Sequence, residues 1–264
     1  AGAVQAHLET QFAHFAHGDM ATLGAFIALA LVTAGLTPWA ALPVAMAAVA
    51  VVAIVVDKLF YDYLKARPKI MTVMASLGVA LMLRAVVQVV FGVDPRTYAT
   101  GIVRPDDYFG ILLRDRELYT LAAVVLIVIG LTLFLRHSRW GKAMRAMSDN
   151  PDLARLSGVD NRKVTMLTWA IVGGLCAASG FMLGINNELH SMMGWQVLLP
   201  MFAAAILGGV GRVEGAVLGG LIVGVAEEMS IFMLPAQYKS ATAFVLLLLI
   251  LLVRPRGLLN GKVL

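Results

Sequence analysis

Long apolar runs separated by short polar segments are the feature that most constrains the fold of this chain. Crossing the hydrocarbon core of a bilayer takes an α-helix about 20 apolar residues. Runs close to this length lie at 19–36, 39–59, 70–91, 118–136, 164–186 and 239–253. The chain is only 14% charged, whereas soluble domains carry about 25% charged residues. These runs, together with a glycine-rich apolar tract at 196–234, predict an all-α polytopic membrane protein with about 7–8 transmembrane helices.

The charges of the polar segments predict which side of the membrane each one faces. Basic residues outnumber acidic ones in the loop 137–163 and in the tail after Val253, whereas 92–117 holds four basic and five acidic residues. Lys and Arg concentrate in cytoplasmic loops, so we expect 137–163 and the tail to be cytoplasmic and 92–117 to be periplasmic. The net charge of +5 thus fits a membrane topology, and we expect no nucleic-acid partner.

The tract 196–234 is predicted to form a broken or re-entrant pair of helices. Residues 196–210 would make a helix about 22 Å long, which is too short for a hydrocarbon core of about 30 Å. The piece therefore either turns back at 208–211 or continues as a full span to Arg212. Small residues four apart let helices approach closely in lipid, and a pore-lining broken helix is the functional alternative. The candidate pore or packing residues are Gly208, Gly209, Gly211, Gly215, Gly219 and Glu227.

Ionisable residues inside apolar runs are costly in lipid, so each needs a partner or a function. For Arg84 we expect a structural partner on a neighbouring helix. His14, His17 and Asp19 cluster at the start of the first run, where an N-terminal cap at the interface is favoured over a metal site. We expect no catalytic residue and no bound metal or cofactor.

The loop 137–163 contains a short segment with well-defined helix boundaries. Asn150 can cap free N–H groups of a first turn, Pro151 suits the first helical position, and Gly158 suits a left-handed residue just past the end. The predicted helix, 151–157, has roughly two turns and is marginal in water by itself. We therefore expect it to pack against another protein.

Four stretches resemble the permease subunits of branched-chain amino acid ABC importers of the Liv type, and among these the LivH kind. They are FAHGDMATLGAF at 15–26, RAMSDNPDLARLSGVD at 145–160, LLPMFAAAILGGVGRVEGAVLGG at 198–220 and LLVRPRGLL at 251–259. Liv-type permeases usually carry a further hydrophobic helix before the first stretch, which residues 1–14 do not supply. Either a first span is absent from this chain or this member starts differently.

The resemblance implies that 1–264 forms a single transmembrane permease domain whose loop 137–163 couples to an ATPase. Asp152 takes the Glu position of the E-A-A-x-x-x-G coupling motif and Gly158 takes the Gly position. Thr168 departs from the motif, because an Ile would be expected there. The residues implied in ATPase coupling are Asn150, Pro151, Asp152, Leu153, Ala154, Arg155, Leu156 and Gly158.

The same resemblance implies an assembly in the bacterial inner membrane. The implied partners are a second permease subunit, LivM-like rather than identical, two cytoplasmic ATPase subunits, a periplasmic substrate-binding protein and membrane lipid. ATP would be used by the partner subunits, in agreement with the lack of a GxxxxGK[ST] phosphate loop in this sequence. The alternative is a stand-alone secondary transporter that uses Glu227 or Glu228 for ion coupling, because such transporters need acids at the midplane.

Overall fold

The structure is a computed structural model that describes residues 14–64, 67–98, 106–108, 111–209, 213–232, 235, 238–254 and 257–258. These residues are almost entirely helical, which confirms the predicted all-α class. Two compact units are present, Ala1–Gly194 and Trp195–Leu264. Residues 1–14, on which the expectation about a first span rests, lie outside the described residues except for His14.

In its described part, the first unit contains five long apolar helices and two separate short ones. Its long helices are α1 (Ala16–Thr33), α2 (Pro38–Val56), α3 (Lys69–Phe91), α4 (Asp115–His137) and α7 (Asn161–Asn186). The short helices α5 (Arg139–Asp149) and α6 (Pro151–Leu156) lie between α4 and α7, and a small antiparallel hairpin of β1 (Asp106–Tyr108) and β2 (Ile111–Leu113) precedes α4. The second unit contains α9 (Val213–Ser230), α10 (Lys239–Val253) and nearly all of α8 (Met193–Gly208).

Among the residues that the structure describes, five helices are long and apolar enough to cross a membrane: α1, α2 with its extension to Leu64, α3, α4 and α7. Helices α8 and α10 are apolar but shorter. Helix α8 has 16 residues, so at 1.5 Å per residue it is about 24 Å long, as expected for the first half of the glycine-rich tract. The chain is thus a multi-pass membrane protein.

The first helix begins and ends about three residues earlier than its apolar run predicts. It covers Ala16–Thr33, not 19–36. The chain leaves the helix because Gly35 adopts a φ of +103°, a conformation that glycine adopts readily. Pro38 then starts the next helix at its first position, where proline is well tolerated.

Helix α2 continues further than the polar residues after Phe60 suggest. A π-helical turn, Asp57–Tyr61, follows Val56, and one more helical turn runs to Leu64. The side chains of Asp57 and Tyr61 are buried within the first unit. The helix thus continues beyond the predicted apolar run 39–59, because these two polar side chains face inward.

Helix α1 is the central helix of the first unit and packs against α2, α3 and α7. Most of its residues are buried, among them Met20 and Phe26. Glycines on α7 let the backbones approach: a Cβ atom on Gly180 would overlap the carbonyl oxygen of Ala21. In lipid this kind of close packing drives helix association, so the position of α1 depends on small residues at the crossing points.

The ends of α3 and α7 meet through the loops that follow them. The backbone N–H of Arg96 donates to the carbonyl oxygen of Leu189 at 2.9 Å, and that of Leu189 donates to Arg96 at 2.7 Å. The hydroxyl of Tyr98 donates to the carbonyl oxygen of Ala25 at 2.6 Å. The loop after α3 and the loop after α7 therefore lie at the same end of the unit.

We predict that Gly180→Ala destabilises the protein, whereas Gly130→Ala does not. The added Cβ at 180 has no room beside α1, and forcing extra atoms into a packed contact costs about 1–3 kcal/mol. A Cβ on Gly130 in α4 would meet nothing within 4 Å, and alanine is the better helix former by about 1 kcal/mol. Size-exclusion chromatography of heated samples in detergent gives the thermal unfolding midpoint of each variant, and the two midpoints are compared. Equal midpoints would mean that the α1–α7 crossing is not tight.

Candidate functional site

Helix α6 forms where the sequence predicts a short helix, and Asn150 caps its first turn. The backbone N–H groups of Asp152 and Leu153 donate to Oδ1 of Asn150, at 3.1 and 3.0 Å. Pro151 takes the first helical position, where no N–H is needed. The predicted start of the helix is therefore confirmed.

The end of α6 is a Schellman motif centred on Gly158. The backbone N–H of Gly158 donates to the carbonyl of Arg155 at 3.1 Å, and that of Val159 donates to Ala154 at 3.0 Å. Gly158 has a φ of +86°, which glycine tolerates at such a position. The left-handed cap predicted at Gly158 is confirmed, and both ends of this two-turn helix are hydrogen-bonded.

The side chains of α6 divide into one that faces the protein and others that face away. Ala154 is only 4% exposed, whereas Leu153 is 60% and Leu156 is 84% exposed. Asp152 and Arg155 are also exposed. Ala154, one of the residues implied in ATPase coupling, therefore faces inward, because α6 uses this small side chain to pack on its own unit.

Contacts with the flanking helices fix the position of α6. Asn150 is both the C-cap residue of α5 and the N-cap residue of α6. Nδ2 of Asn161 donates to the carbonyl of Pro151 at 2.9 Å. Asp160 caps α7 by accepting from the backbone N–H of Lys163 at 3.2 Å. That hydrogen bond is the main reason why the pKa of Asp160 lies below its usual value. Helix α6 is thus held rigidly while two leucines point outward.

In the second unit, glycines bring α8 and α9 into backbone contact. A Cβ atom on Gly208 would overlap the carbonyl oxygen of Gly215, and one on Gly219 would overlap that of Ala204. Gly209 turns the chain with a φ of +100°. These contacts are the packing that the glycine spacing predicts; Gly211 lies in the stretch 210–212, outside the described residues. A pore role for the predicted glycines stays a prediction.

The segment after α10 folds back onto the turn after α8. The backbone N–H of Leu258 donates to the carbonyl of Leu207 at 2.8 Å. Gly257 has a φ of +69°, and a Cβ there would lie 2.6 Å from the backbone nitrogen of Gly209. Within the second unit, the end of α10 and the turn after α8 therefore lie together.

The two adjacent glutamates of α9 occupy different environments. Glu228 is exposed and forms an ion pair with Lys239 at the start of α10. Glu227 is half-buried, and its carbonyl accepts from Oγ of Ser230 at 2.7 Å. The Glu228 contact links the end of α9 to the start of α10, as expected for a residue near the end of a span.

A buried ion pair between Asp19 and Arg84 links α1 to α3. Nε and a terminal nitrogen of Arg84 donate to the two carboxylate oxygens of Asp19, both at 3.0 Å. The Asp19 side chain is 0% and the Arg84 side chain 11% exposed. The structural partner expected for Arg84 is confirmed, although the sequence did not identify Asp19 as that partner.

The predicted polar cap at the start of α1 is wrong. Phe15 is the N-cap residue and makes no side-chain capping hydrogen bond. His14 packs instead against the rings of Tyr61 and Trp169, at centroid distances of 4.9 and 5.2 Å. The helix starts earlier than the apolar run suggests, so these residues lie inside the helix bundle. Burial lowers the pKa of His14 to about 3.

One contact within the first unit, between α1 and Gly194, was not predicted from the sequence. The backbone N–H of Gly194 donates to Oγ1 of Thr22 at 3.0 Å, and Thr22 donates to the carbonyl of Gly18 at 3.2 Å. A Cβ on Gly194 would overlap the carbonyl of Gly18. The only sequence signal was a small or hydroxyl side chain at each position, which is too common in membrane helices to be diagnostic.

We predict that Asp19→Asn destabilises the protein by about 3–5 kcal/mol, because it leaves the Arg84 charge buried without its counter-charge. The double variant Asp19→Leu with Arg84→Met removes both charges and should be more stable than Asp19→Asn alone. Thermal unfolding midpoints of the wild type, Asp19→Asn and the double variant test this. A double variant that is less stable than Asp19→Asn would contradict the assigned pairing.

Comparison with known proteins identifies the family of this chain. Residues 9–253 match the family described as "Branched-chain amino acid transport system / permease component". The high-affinity branched-chain amino acid transport permease BraD of Pseudomonas aeruginosa is 29% identical, over 94% of this chain and 85% of its own length. LivH of Escherichia coli K12 is 28% identical with the same coverage. A probable LivH of Methanocaldococcus jannaschii is 26% identical, over 97% of this chain and 86% of its own.

No solved structure matches the chain significantly. The family match covers nearly all of the described helices, including α6 and the glycine-rich pair α8–α9. The resemblance seen in the four sequence stretches is thereby confirmed. The chain belongs to the permease component family of branched-chain amino acid transport systems.

Proposed function

We propose that this chain is a membrane-spanning permease subunit of an ABC importer for branched-chain amino acids or related small amides. The family match supports this function, since the similar proteins are transport permeases. The chain would lie in the bacterial inner membrane and form part of the substrate pathway. It would work with a second, LivM-like permease subunit, two cytoplasmic ATPase subunits and a periplasmic substrate-binding protein.

We further propose that α6 is the element through which an ATPase subunit acts on this chain. The observation that carries this proposal is the pair of exposed leucines, Leu153 and Leu156, on a helix whose two ends are capped and whose third apolar residue is buried. A docked helix presents apolar anchors to a groove in its partner. Asp152 and Arg155 flank these anchors and would set the orientation at the rim of the contact.

The capped geometry of α6 suits the transmission of a displacement. A helix of six residues is too short to be stable through its own backbone hydrogen bonds. The cap on Asn150, the Schellman motif at Gly158 and the bond from Asn161 to Pro151 supply the missing support. A push on Leu156 would therefore move α5 and α7 with it, as in the rigid-body transitions of other coupled systems.

This arrangement implies a topology for the whole chain. The end that holds α5 and α6 would face the cytoplasm, and the loops around Arg96 and Leu189 would face the periplasm. The excess of basic residues in 137–163 agrees with this orientation. The joined loops after α3 and α7 agree as well, because a span that starts at the cytoplasmic loop, as α7 does, ends on the side where 92–117 is expected.

We predict that Leu156→Asp releases the ATPase subunit and abolishes uptake while expression stays normal. Burying a leucine contributes about 1.5–3 kcal/mol, so the loss of this contact should weaken docking by about tenfold or more. Pull-down of the ATPase subunit from detergent-solubilised membranes measures docking directly. Ala146→Asp is the matched control, since it adds the same charge at an exposed position on α5. Equal recovery with the wild type and with Leu156→Asp would show that the ATPase is held elsewhere.

A further inference from the structure

Helix α5, which precedes α6, has a different character from it. Four basic residues lie within the ten positions 136–145, and no acidic residue occurs until Asp149. They are Arg136, Arg139, Lys142 and Arg145. This cluster follows the apolar run of α4 without a linker, because Ser138 alone separates the two helices.

The contacts of α5 place it level with the last turn of α4. Ser138 caps α5 by accepting from the backbone N–H of Gly141 at 2.8 Å. A Cβ atom on Gly141 would overlap the carbonyl oxygen of Leu135, and the guanidinium of Arg145 donates to that same oxygen. Gly141 and Arg145, which are one turn apart on α5, thus both contact Leu135 at the end of α4. The first two turns of α5 therefore lie beside the end of α4, where a span of this length would meet the lipid headgroups.

The two sides of α5 differ in polarity. Trp140, Met144 and Met147 lie at i, i+4 and i+7, on one face. The two methionines are half-buried, and part of the Trp140 ring remains exposed. Arg139 and Lys142 lie off this face and are exposed. An apolar face with an exposed tryptophan beside a basic face is typical of a helix that lies in the membrane interface.

Two of the cations have no acidic partner among the described residues. No ion pair of Arg139 or Lys142 is formed in the described part of the chain. By contrast, Lys163 at the start of α7 is paired with Asp160 at 3.3 Å. Charges at headgroup depth that the protein leaves unbalanced are complementary to lipid phosphates.

We propose that α5 forms a binding site for the headgroup of an anionic phospholipid. Arg139 and Lys142 would contact the phosphate, and Trp140 would lie at the membrane–water interface, where tryptophan side chains concentrate. The site is separate from the outward leucines of α6 and does not depend on ATPase docking. The loop 137–163 would thus use α5 to hold lipid and α6 to hold protein.

The test measures which phospholipids remain on the purified full chain. The chain is reconstituted into nanodiscs of phosphatidylcholine with one part in four of phosphatidylglycerol, then extracted in mild detergent. Native mass spectrometry counts the retained molecules of each lipid. The wild type should retain phosphatidylglycerol in preference to phosphatidylcholine. Arg139→Gln and Lys142→Gln should each lower this preference about fivefold, because that is the factor expected for the loss of one cation near a charged surface.

Arg155→Gln is the matched control, because it removes one exposed cation from the same loop but from α6. It should leave the lipid preference unchanged. The proposal is overturned if Arg155→Gln lowers the preference as much as Lys142→Gln does, since net charge alone would then explain retention. It is also overturned if Arg139→Gln and Lys142→Gln leave lipid retention unchanged, whether or not they reduce ATPase recovery in a pull-down. Reduced recovery in that case would assign the basic face to a protein partner.

Discussion

Close approach of helix backbones at glycine is the interaction on which both units of this protein depend. Hydrophobicity does not hold helices together in lipid, so van der Waals contact must do so. In the first unit the α1–α7 crossing is possible because Gly180 lies against the backbone of Ala21 and Gly24 lies against Ala177. In the second unit Gly208, Gly215 and Gly219 do the same for α8 and α9. These two crossings fix the positions of the helices, which polar contacts alone would not fix.

Polar side chains then specify which helices meet. The ion pair of Asp19 with Arg84 selects α3 as a neighbour of α1, and Thr22 holds Gly194, the last residue of the first unit, against α1. A charge buried in the membrane is tolerated only with such a partner. At the end that holds α5 and α6, the polar contacts serve a different purpose: they give a two-turn helix fixed ends, so that exposed leucines are presented on a rigid support.

The sequence predicted the parts of the fold that depend on local chemistry. Apolar run length identified the membrane helices, and Asn150, Pro151 and Gly158 located α6 to within a residue because caps act over a few positions. Non-local contacts were not predictable in the same way. The partner of Arg84 lies 65 residues away in the sequence. Ala154 is buried because α6 packs on its own unit. Gly180 is needed only because α1 crosses α7 at that position. The inward turn of Asp57 and Tyr61, which extends α2, also follows from tertiary packing.

Hydrogen exchange of the backbone amides of α6 tests most directly whether this helix receives the ATPase subunit. The amides of 152–158 are hydrogen-bonded but belong to a short element at the surface, so local opening should make their exchange measurable in the isolated chain. Binding of the ATPase subunit should slow their exchange at least tenfold, while the amides of 139–149 in α5 change little. Unchanged exchange over 152–158 in an assembled, ATP-hydrolysing importer would contradict the account.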